Sequence, residues 1–299
     1  MQISVVIPAY NAADFIEEAI RSACAQEETA EVIVVDDGST DETLAICLAL
    51  STEIPILVVL QHPDKQNHGA GPTRNVGIEA AQYPFIAFLD GDDVFLPRRF
   101  AETKKVFEKY PDADGVYECL GIRFSDAEVK TQWYKRFNYS NTTLRSVVPP
   151  EELIFSMAPL GDKGWFSGDA LTVKKEIFQK CGLYSDLRLS QDTELFMKMA
   201  ITSRLYPGNI ETPVAERRVH AHNRITTSPA HFYANRVLFW RRMIRWMRAH
   251  AVQKKIRSAS YRQYRLHVLK AIKYSKQFSG KLQYTAVFVR HILSFGYLL

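Results

Sequence analysis

Cysteine is scarce in this sequence. Its four residues, Cys24, Cys47, Cys119 and Cys181, include no C-x-x-C pair. That excludes a disulfide framework and a cysteine-ligated zinc site, and fits a reducing compartment. Cys24 and Cys47 fall in apolar helical patterns and read as buried thiols. No apolar run approaches the ~20 residues of a membrane-spanning helix; the last candidate, 285–299, is broken by Arg290 and His291. The opening MQISVVIPAYN lacks the basic start and long apolar stretch of a signal peptide and reads as a first strand. No internal repeat or low-complexity segment is present. Acid is missing from Arg217 onward: that segment holds 18 of the 38 Lys+Arg and no Asp or Glu, while all 33 acidic side chains precede it. An acidic body with a basic tail implies carboxylate chemistry in one and attraction to an anionic surface in the other.

The hydrophobic fraction of 46% and charged fraction of 24% are those of a globular protein. Ile3–Pro8, Glu31–Asp36, Ile56–Leu60 and Phe85–Asp90 are short apolar runs that read as buried strands, and Val116–Cys119 is a weaker one. Between them lie helical patterns: one after the capping-box pair Asp14 and Glu17, one from Ser39 or Thr40 to Leu50, one from Pro72 to Gln82, one from Pro97 to Tyr110. This alternation predicts an α/β domain with a mostly parallel sheet flanked by helices. Residues 120–169 are less regular and read as extra strands and acceptor-side loops. Leu171–Val173, a helix over Lys174–Lys180, a helix over Asp192–Ser203 and a strand over Val214–Val219 complete the body. Ligands of such sheets bind beyond the carboxyl ends of the strands. Here those ends are acidic.

Three segments carry the chemistry. In F-L-D-G-D-D, residues 88–93, Asp90, Asp92 and Asp93 follow a buried strand. Carboxylates this close repel unless a cation offsets them, and oxygen donors favour Mg²⁺ or Mn²⁺; the alternative is an acidic turn capping the next helix. In V-V-D-D-G-S-T-D, residues 34–41, Asp37 is placed to accept hydrogen bonds from a base or ribose, or simply to cap a helix. In H-G-A-G-P-T-R-N-V-G, residues 68–77, the glycine spacing is not that of a dinucleotide site. Arg74 on the first helical turn faces either the acidic crevice, to pair with Asp37 or a phosphate, or solvent.

Together these segments resemble the family-2 glycosyltransferases of GT-A (Rossmann-like) fold: S-V-V-I-P-x-Y-N at Ser4–Asn11, D-D-G-S-x-D at Asp36–Asp41, a helix start at Thr73–Gly77 with Thr in place of Ala, and D-x-D-D at Asp90–Asp93. The resemblance spans roughly residues 1–225. It implies that Pro8, Tyr10, Asp37, Arg74 and Asp90 bind the nucleotide, with Asp37 reading the base. Asp92, joined by His220, would be the metal ligand. The family's E-D pair reads Gln191–Asp192 here, so the base is Asp192, ahead of Glu194; Arg218, His220 and Asn223 match a later R-x-H-x-x-N stretch. His220 and His222 are otherwise plain loop histidines. Trp165 is either a stacking surface for a sugar or a core residue.

The resemblance thus implies an inverting transfer from a nucleotide-diphosphate sugar, commonly UDP-linked, to a glycan or glycolipid acceptor, with Mn²⁺ or Mg²⁺, by a catalytic domain over 1–228. A nucleotidyltransferase and a non-catalytic sugar-nucleotide-binding protein are the alternatives. The tail, 229–299, reads as basic helices. Tyr233, Val237, Trp240, Ile244, Met247 and Ala251 form an apolar stripe beside Arg241, Arg245 and Arg248. That pattern is placed to lie on an anionic membrane through residues 233–299, or to pack on the body. The expected location is cytoplasmic, peripheral at the inner face of the plasma membrane. No nucleic-acid motif is present.

Overall fold

A computed structural model describes residues 1–137, 139–220 and 229–274. His222, Asn223 and the end of the tail from 275 lie outside the described residues. The chain forms two compact units, Met1–His222 and Asn223–Leu299.

In the first unit the strands are β1 (Ile3–Ala9), β2 (Thr29–Asp36), β3 (Leu57–Gln61), β4 (Phe85–Phe88), β5 (Val94–Phe95), β6 (Gly115–Tyr117), β7 (Cys119–Phe124), β8 (Leu171–Lys174), β9 (Leu205–Pro207) and β10 (Pro213–Val219). The helices are α1 (Ile16–Cys24), α2 (Thr43–Glu53), α3 (Ala70–Ala80), α4 (Ala101–Lys109), α5 (Ala127–Arg136), α6 (Leu153–Ser156), α7 (Ile177–Cys181) and α8 (Gln191–Thr202). Seven strands form one sheet in the order β3-β2-β1-β4-β8-β6-β9. β1 runs parallel to β2 and β4, and β2 to β3; β8 enters antiparallel between β4 and β6. β1 is buried from Ile3 to Ile7, covered on both faces; its residues there are apolar except Ser4, whose hydroxyl donates to Glu31. α3 lies close over it: a Cβ on Gly77 would stand 2.4 Å from Cγ1 of Val6. From β1 the chain builds β2 and β3 to one side and then returns to place β4 on the other. The crevice at this reversal, beyond the carboxyl ends of β1, β2 and β4, is where such sheets hold ligands.

A second sheet, β5-β10-β7, pairs the expected strand over Val214–Val219, here β10, with two others. Its two-residue β5 is too short for a periodic pattern, and β7 continues the run read as one strand ending at Cys119. α5 was also missed within the segment read as irregular; Asp126 caps it by accepting from the Val129 N–H at 2.8 Å. The capping box at Asp14 does not form. α1 begins after Phe15 with no side-chain cap, and Asp41 reaches over to accept the Ala13 N–H. α2 starts at Thr43, later than Ser39 or Thr40, because Asp41 accepts from both the Thr43 N–H and its hydroxyl. A buried ion pair, Arg99 to Glu118 at 2.7 Å with both side chains fully covered, ties the start of α4 to the step between β6 and β7.

The second unit contains α9 (Pro229–Ala249) and α10 (Lys254–Tyr274). They pack as a hairpin: Tyr233 near the start of α9 stacks on Tyr274 at the end of α10 at 5.3 Å. Trp240, Ile244 and Met247 of the apolar stripe are buried, Tyr233 and Val237 half-buried and Ala251 exposed. This corrects the expectation that the stripe is offered to lipid; on α9 the exposed large apolar residues are Phe232 and Leu238. Among the described residues no helix is long and apolar enough to cross a membrane.

Candidate active site

Pro8 and Tyr10 stand at the end of β1, Pro8 half-buried and Tyr10 39% exposed. Asp37, after β2, is buried. Its two carboxylate oxygens accept the backbone N–H groups of His68 (2.7 Å) and Gly69 (2.9 Å), and His62 Nε2 lies 3.4 Å away. The carboxylate that the sequence pattern leaves open to a base is therefore engaged in holding the loop before α3.

α3 begins at Ala70, two residues before the expected Pro72, so Arg74 sits one turn into the helix rather than on its first turn. One Nη pairs with Asp90; the other lies 3.4 Å from Asp192. Its guanidinium lies 5.4 Å from the Tyr184 ring centroid. Burial disfavours its charge, but Asp90 and Asp192 outweigh burial and hold it more firmly protonated than usual. The segment bearing Tyr184 is clamped to the same helix. Asn75 donates to the Tyr184 carbonyl at 2.8 Å and accepts its N–H at 2.9 Å.

The acidic cluster has a member the sequence reading passed over as a loop end, Asp169. Oxygens of Asp90, Asp93 and Asp169 lie within 4.8 Å of one another. The reason is topological. β8 runs antiparallel to β4, so the residues just before β8 lie beside those just after β4; Asp169 accepts the Asp90 N–H at 2.9 Å. Burial, then Asp90, pushes the Asp169 carboxyl up to about 6, with Arg217 opposing. Asp93 is pushed well above the usual range by burial, then by Asp169, Asp92 and Asp90. Asp92 is raised by burial and Asp90, and His220 opposes. Crowded, partly desolvated carboxylates of this kind fit a hard divalent cation, which removes their mutual repulsion. The expected pair Asp92 and His220 is adjacent at 3.3 Å beside this cluster, but neither belongs to the three whose oxygens converge.

β10 explains that adjacency. Its pairing with β5 sets Glu216 opposite Val94, so Arg217 to His220 run past the acidic turn. The Arg218 N–H donates to Asp93 at 2.8 Å and its Nε to the Asp92 carbonyl at 3.0 Å. Arg217 donates to the Ser167 hydroxyl at 3.2 Å, and Asp93, Asp169 and Asp90 oppose the burial of its charge. Neither Arg217 nor Tyr184 stood out in the sequence, because nothing in their local pattern marks them.

Asp192 lies on the first turn of α8, its side chain 47% exposed to the cleft. Burial of its surroundings raises its carboxyl above the usual aspartate range, and Arg74 opposes this. Glu194 is buried; it accepts from Ser185 and from Lys198, each at 2.7 Å. Gln191 is buried too. Among the cleft carboxylates Asp192 is the most exposed, at 47% against 35% for Asp90 and 32% for Asp92, and one arginine links it to an acidic, cation-fitting cluster.

A model of the family described as "Glycosyl transferase family 2" matches residues 4–157. An uncharacterised glycosyltransferase of Rickettsia prowazekii is 30% identical over 211 residues, 68% of this chain and 60% of its own length. The succinoglycan biosynthesis protein ExoU of Rhizobium meliloti is 39% identical over 100 residues, 33% of this chain and 29% of that one. The chain spans 60% of the Rickettsia prowazekii relative and 31% of one from Rickettsia felis. Among solved structures, S. aureus TarS 1–349 in complex with UDP-GlcNAc is similar at a TM-score of 0.63 and 19% identity, covering 99% of this chain and 80% of that one. The mannosyltransferase PcManGT from Pyrobaculum calidifontis, in complex with GDP-Man and Mn²⁺, is similar at 0.57 and 18%, covering 98% and 80%. At these identities the likeness to solved structures is one of fold.

Proposed function

Because this chain belongs to glycosyl transferase family 2, with the α/β fold of GT-A glycosyltransferases such as TarS, we propose that it transfers a sugar with inversion from a nucleoside-diphosphate sugar to an acceptor hydroxyl. The catalytic domain is 1–228. The observation that carries this reading is the Arg74 fork, which joins Asp90 to Asp192.

In this scheme Asp192 takes the proton of the acceptor hydroxyl as its oxygen attacks the anomeric carbon. The bond from that carbon to the diphosphate oxygen breaks on the opposite face, and the electron pair leaves with the nucleoside diphosphate. Arg74 orients Asp192 and offsets negative charge between the two carboxylates. Pro8 and Tyr10 line the nucleoside end, and Asp37 shapes it by fixing loop 68–69. Asp90, Asp93 and Asp169, with Asp92 and His220, would hold Mn²⁺ or Mg²⁺, which supplies charge neutralisation to a leaving diphosphate. The nucleotide sugars held by TarS and PcManGT support the donor class, and UDP is the nucleotide proposed here. The likeness to a succinoglycan biosynthesis protein supports a role in surface polysaccharide or glycolipid assembly.

Calorimetry with UDP-, GDP- and dTDP-sugars in the presence of Mn²⁺, followed by donor turnover, tests the reading. Asp192→Asn is expected to bind donor nearly as tightly and to turn over about 10²–10⁴-fold more slowly. A variant that loses donor affinity but keeps its turnover number overturns the assignment. Pyrophosphate release from a nucleoside triphosphate would identify a nucleotidyltransferase instead.

The proposal extends to a peripheral site at the cytoplasmic membrane face. It rests on charge: the segment from Arg217 has no acidic residue, and basic residues near an anionic surface contribute ~1 kcal/mol each. Since most of the apolar stripe is buried, co-sedimentation with anionic vesicles is expected at low salt and is expected to vanish at high salt. No binding at low salt sinks this part.

A further inference from the structure

Residues 139–145 and the loop 161–167 meet beside the cleft, and the scheme above gives them no task. Trp133 of α5 is 5% exposed and gathers Phe124, Phe137 and Tyr139 around it at ring separations of 6.1, 4.5 and 5.5 Å. Its indole N–H donates to the Tyr139 carbonyl at 3.1 Å. Tyr139 meets Trp165 edge-on at 5.4 Å and 84°. The two segments are stitched by backbone: Leu144 bridges to Gly164, and the Arg145 N–H donates to the Lys163 carbonyl at 2.7 Å. Gly164 makes this approach possible. Its φ is +105°, and a Cβ there would stand 2.4 Å from the Thr143 carbonyl oxygen.

The row of rings therefore has a buried, anchored end at Trp133 and an open end at Trp165, which is 42% exposed. A tryptophan serving only as core is expected to be covered. Two residues on, Ser167 accepts from Arg217, whose charge acts on both the Tyr139 hydroxyl and the Asp192 carboxyl. The Tyr139 hydroxyl makes no hydrogen bond with the described residues. An exposed, rigidly mounted indole with a phenol and a guanidinium nearby is the chemistry that takes a sugar: the C–H face on the ring, the hydroxyls on the polar groups.

We propose that this strip is the acceptor subsite, in which a pyranose ring of a glycan lies on Trp165, with Tyr139 and Arg217 as polar contacts, and presents its reacting hydroxyl to Asp192. The ring is neutral, because Asp93, Asp169 and Asp90 already offset the Arg217 charge. The proposal rests on the glycosyl-transfer reading above.

Saturation-transfer NMR of the full chain with the methyl glycosides of glucose, galactose and N-acetylglucosamine, at millimolar concentration, tests it. Transfer to C–H protons of one ring face is expected, lost in Trp165→Ala and retained in Trp165→Phe. UDP and GDP affinities, measured in parallel, are expected to move by no more than about twofold, as for a separate site. Tyr139→Phe keeps the ring packing and is expected to weaken sugar binding about threefold or more through a lost hydrogen bond, so the test survives if Trp165→Ala unfolds the loop. No transfer from any of the three sugars, or transfer that persists in Trp165→Ala, overturns the subsite. Sugar binding in a wild type that binds neither nucleotide would support the subsite as a glycan site and overturn the transferase reading alone.

Discussion

The guanidinium of Arg74 lies 3.4 Å from the Asp192 carboxylate, 118 residues away in sequence, while its other Nη holds Asp90. Lysine is a point charge and cannot span both partners. Arg74→Lys is therefore expected to lower turnover about 10²-fold through misplacement of the base, with a smaller change in donor affinity. Steady-state kinetics set against calorimetric donor binding checks the split; equal losses in both would show that Arg74 serves only the donor.

The same contact sets a pH dependence. Burial raises the Asp192 carboxyl and Arg74 opposes that rise. A general base acts when ionised, so activity falls as pH drops through its raised value. Removing the guanidinium in Arg74→Gln raises the carboxyl further. The acid limb of the rate profile is expected to move to higher pH in this variant, and an unmoved limb would argue against Asp192 as the titrating base.

The acidic cluster makes a metal-linked prediction for stability. Asp169 titrates near 6 in the folded chain, against about 3.9 when unfolded. Between these values the native state binds the extra proton, so metal-free stability is expected to fall as pH rises from about 4 to 6 and to stay low above that. Mn²⁺ at neutral pH is expected to restore it by taking the place of the proton. Thermal melts across pH, with chelator and with Mn²⁺, read this directly; Asp169→Asn should reduce the pH slope, leaving the part that raised Asp93 and Asp92 contribute, and weaken the metal response.

Away from the cleft, the buried pair of Arg99 and Glu118 is the most exacting element of the fold. Glu118 also accepts from the Thr103 hydroxyl and the Asn209 N–H, and Arg99 donates to the Asp169 carbonyl. Arg99→Met leaves Glu118 charged without its partner in a dry site and is expected to cost about 3–5 kcal/mol. Replacing both residues with apolar ones is expected to cost less than the single change. Urea denaturation of the three variants measures the difference.

Much of the fold was legible in the sequence because its first half obeys local rules. β1, β2 and β4 carry the apolar runs Val5–Ile7, Val32–Val35 and Phe85–Phe88, as strands covered on both faces require, and the acids at their ends announce a crevice. The turns were less legible. Asp41 rather than Asp14 fastens the start of the first helical segment, since a carboxylate from a neighbouring loop wins over a local cap. Buried Asp37 was recognisable as a residue of the crevice, but not as one whose oxygens face the backbone of loop 68–69.

By itself the sequence determined the alternation of strands and helices, the acidic strand ends, the family resemblance and the candidate base Asp192. These depend on residues close in the chain, whose periodicity and spacing carry the information. Only the tertiary structure decided that Asp169 joins Asp90 and Asp93, because an antiparallel strand must first bring the start of β8 beside the end of β4. It decided likewise that Arg74 bridges two carboxylates and that Trp165 stands exposed at the end of an anchored row of rings. It also decided that the apolar stripe of α9 is largely covered. Each of these is a pairing between distant segments, and packing rather than local propensity selects which partner a side chain finds.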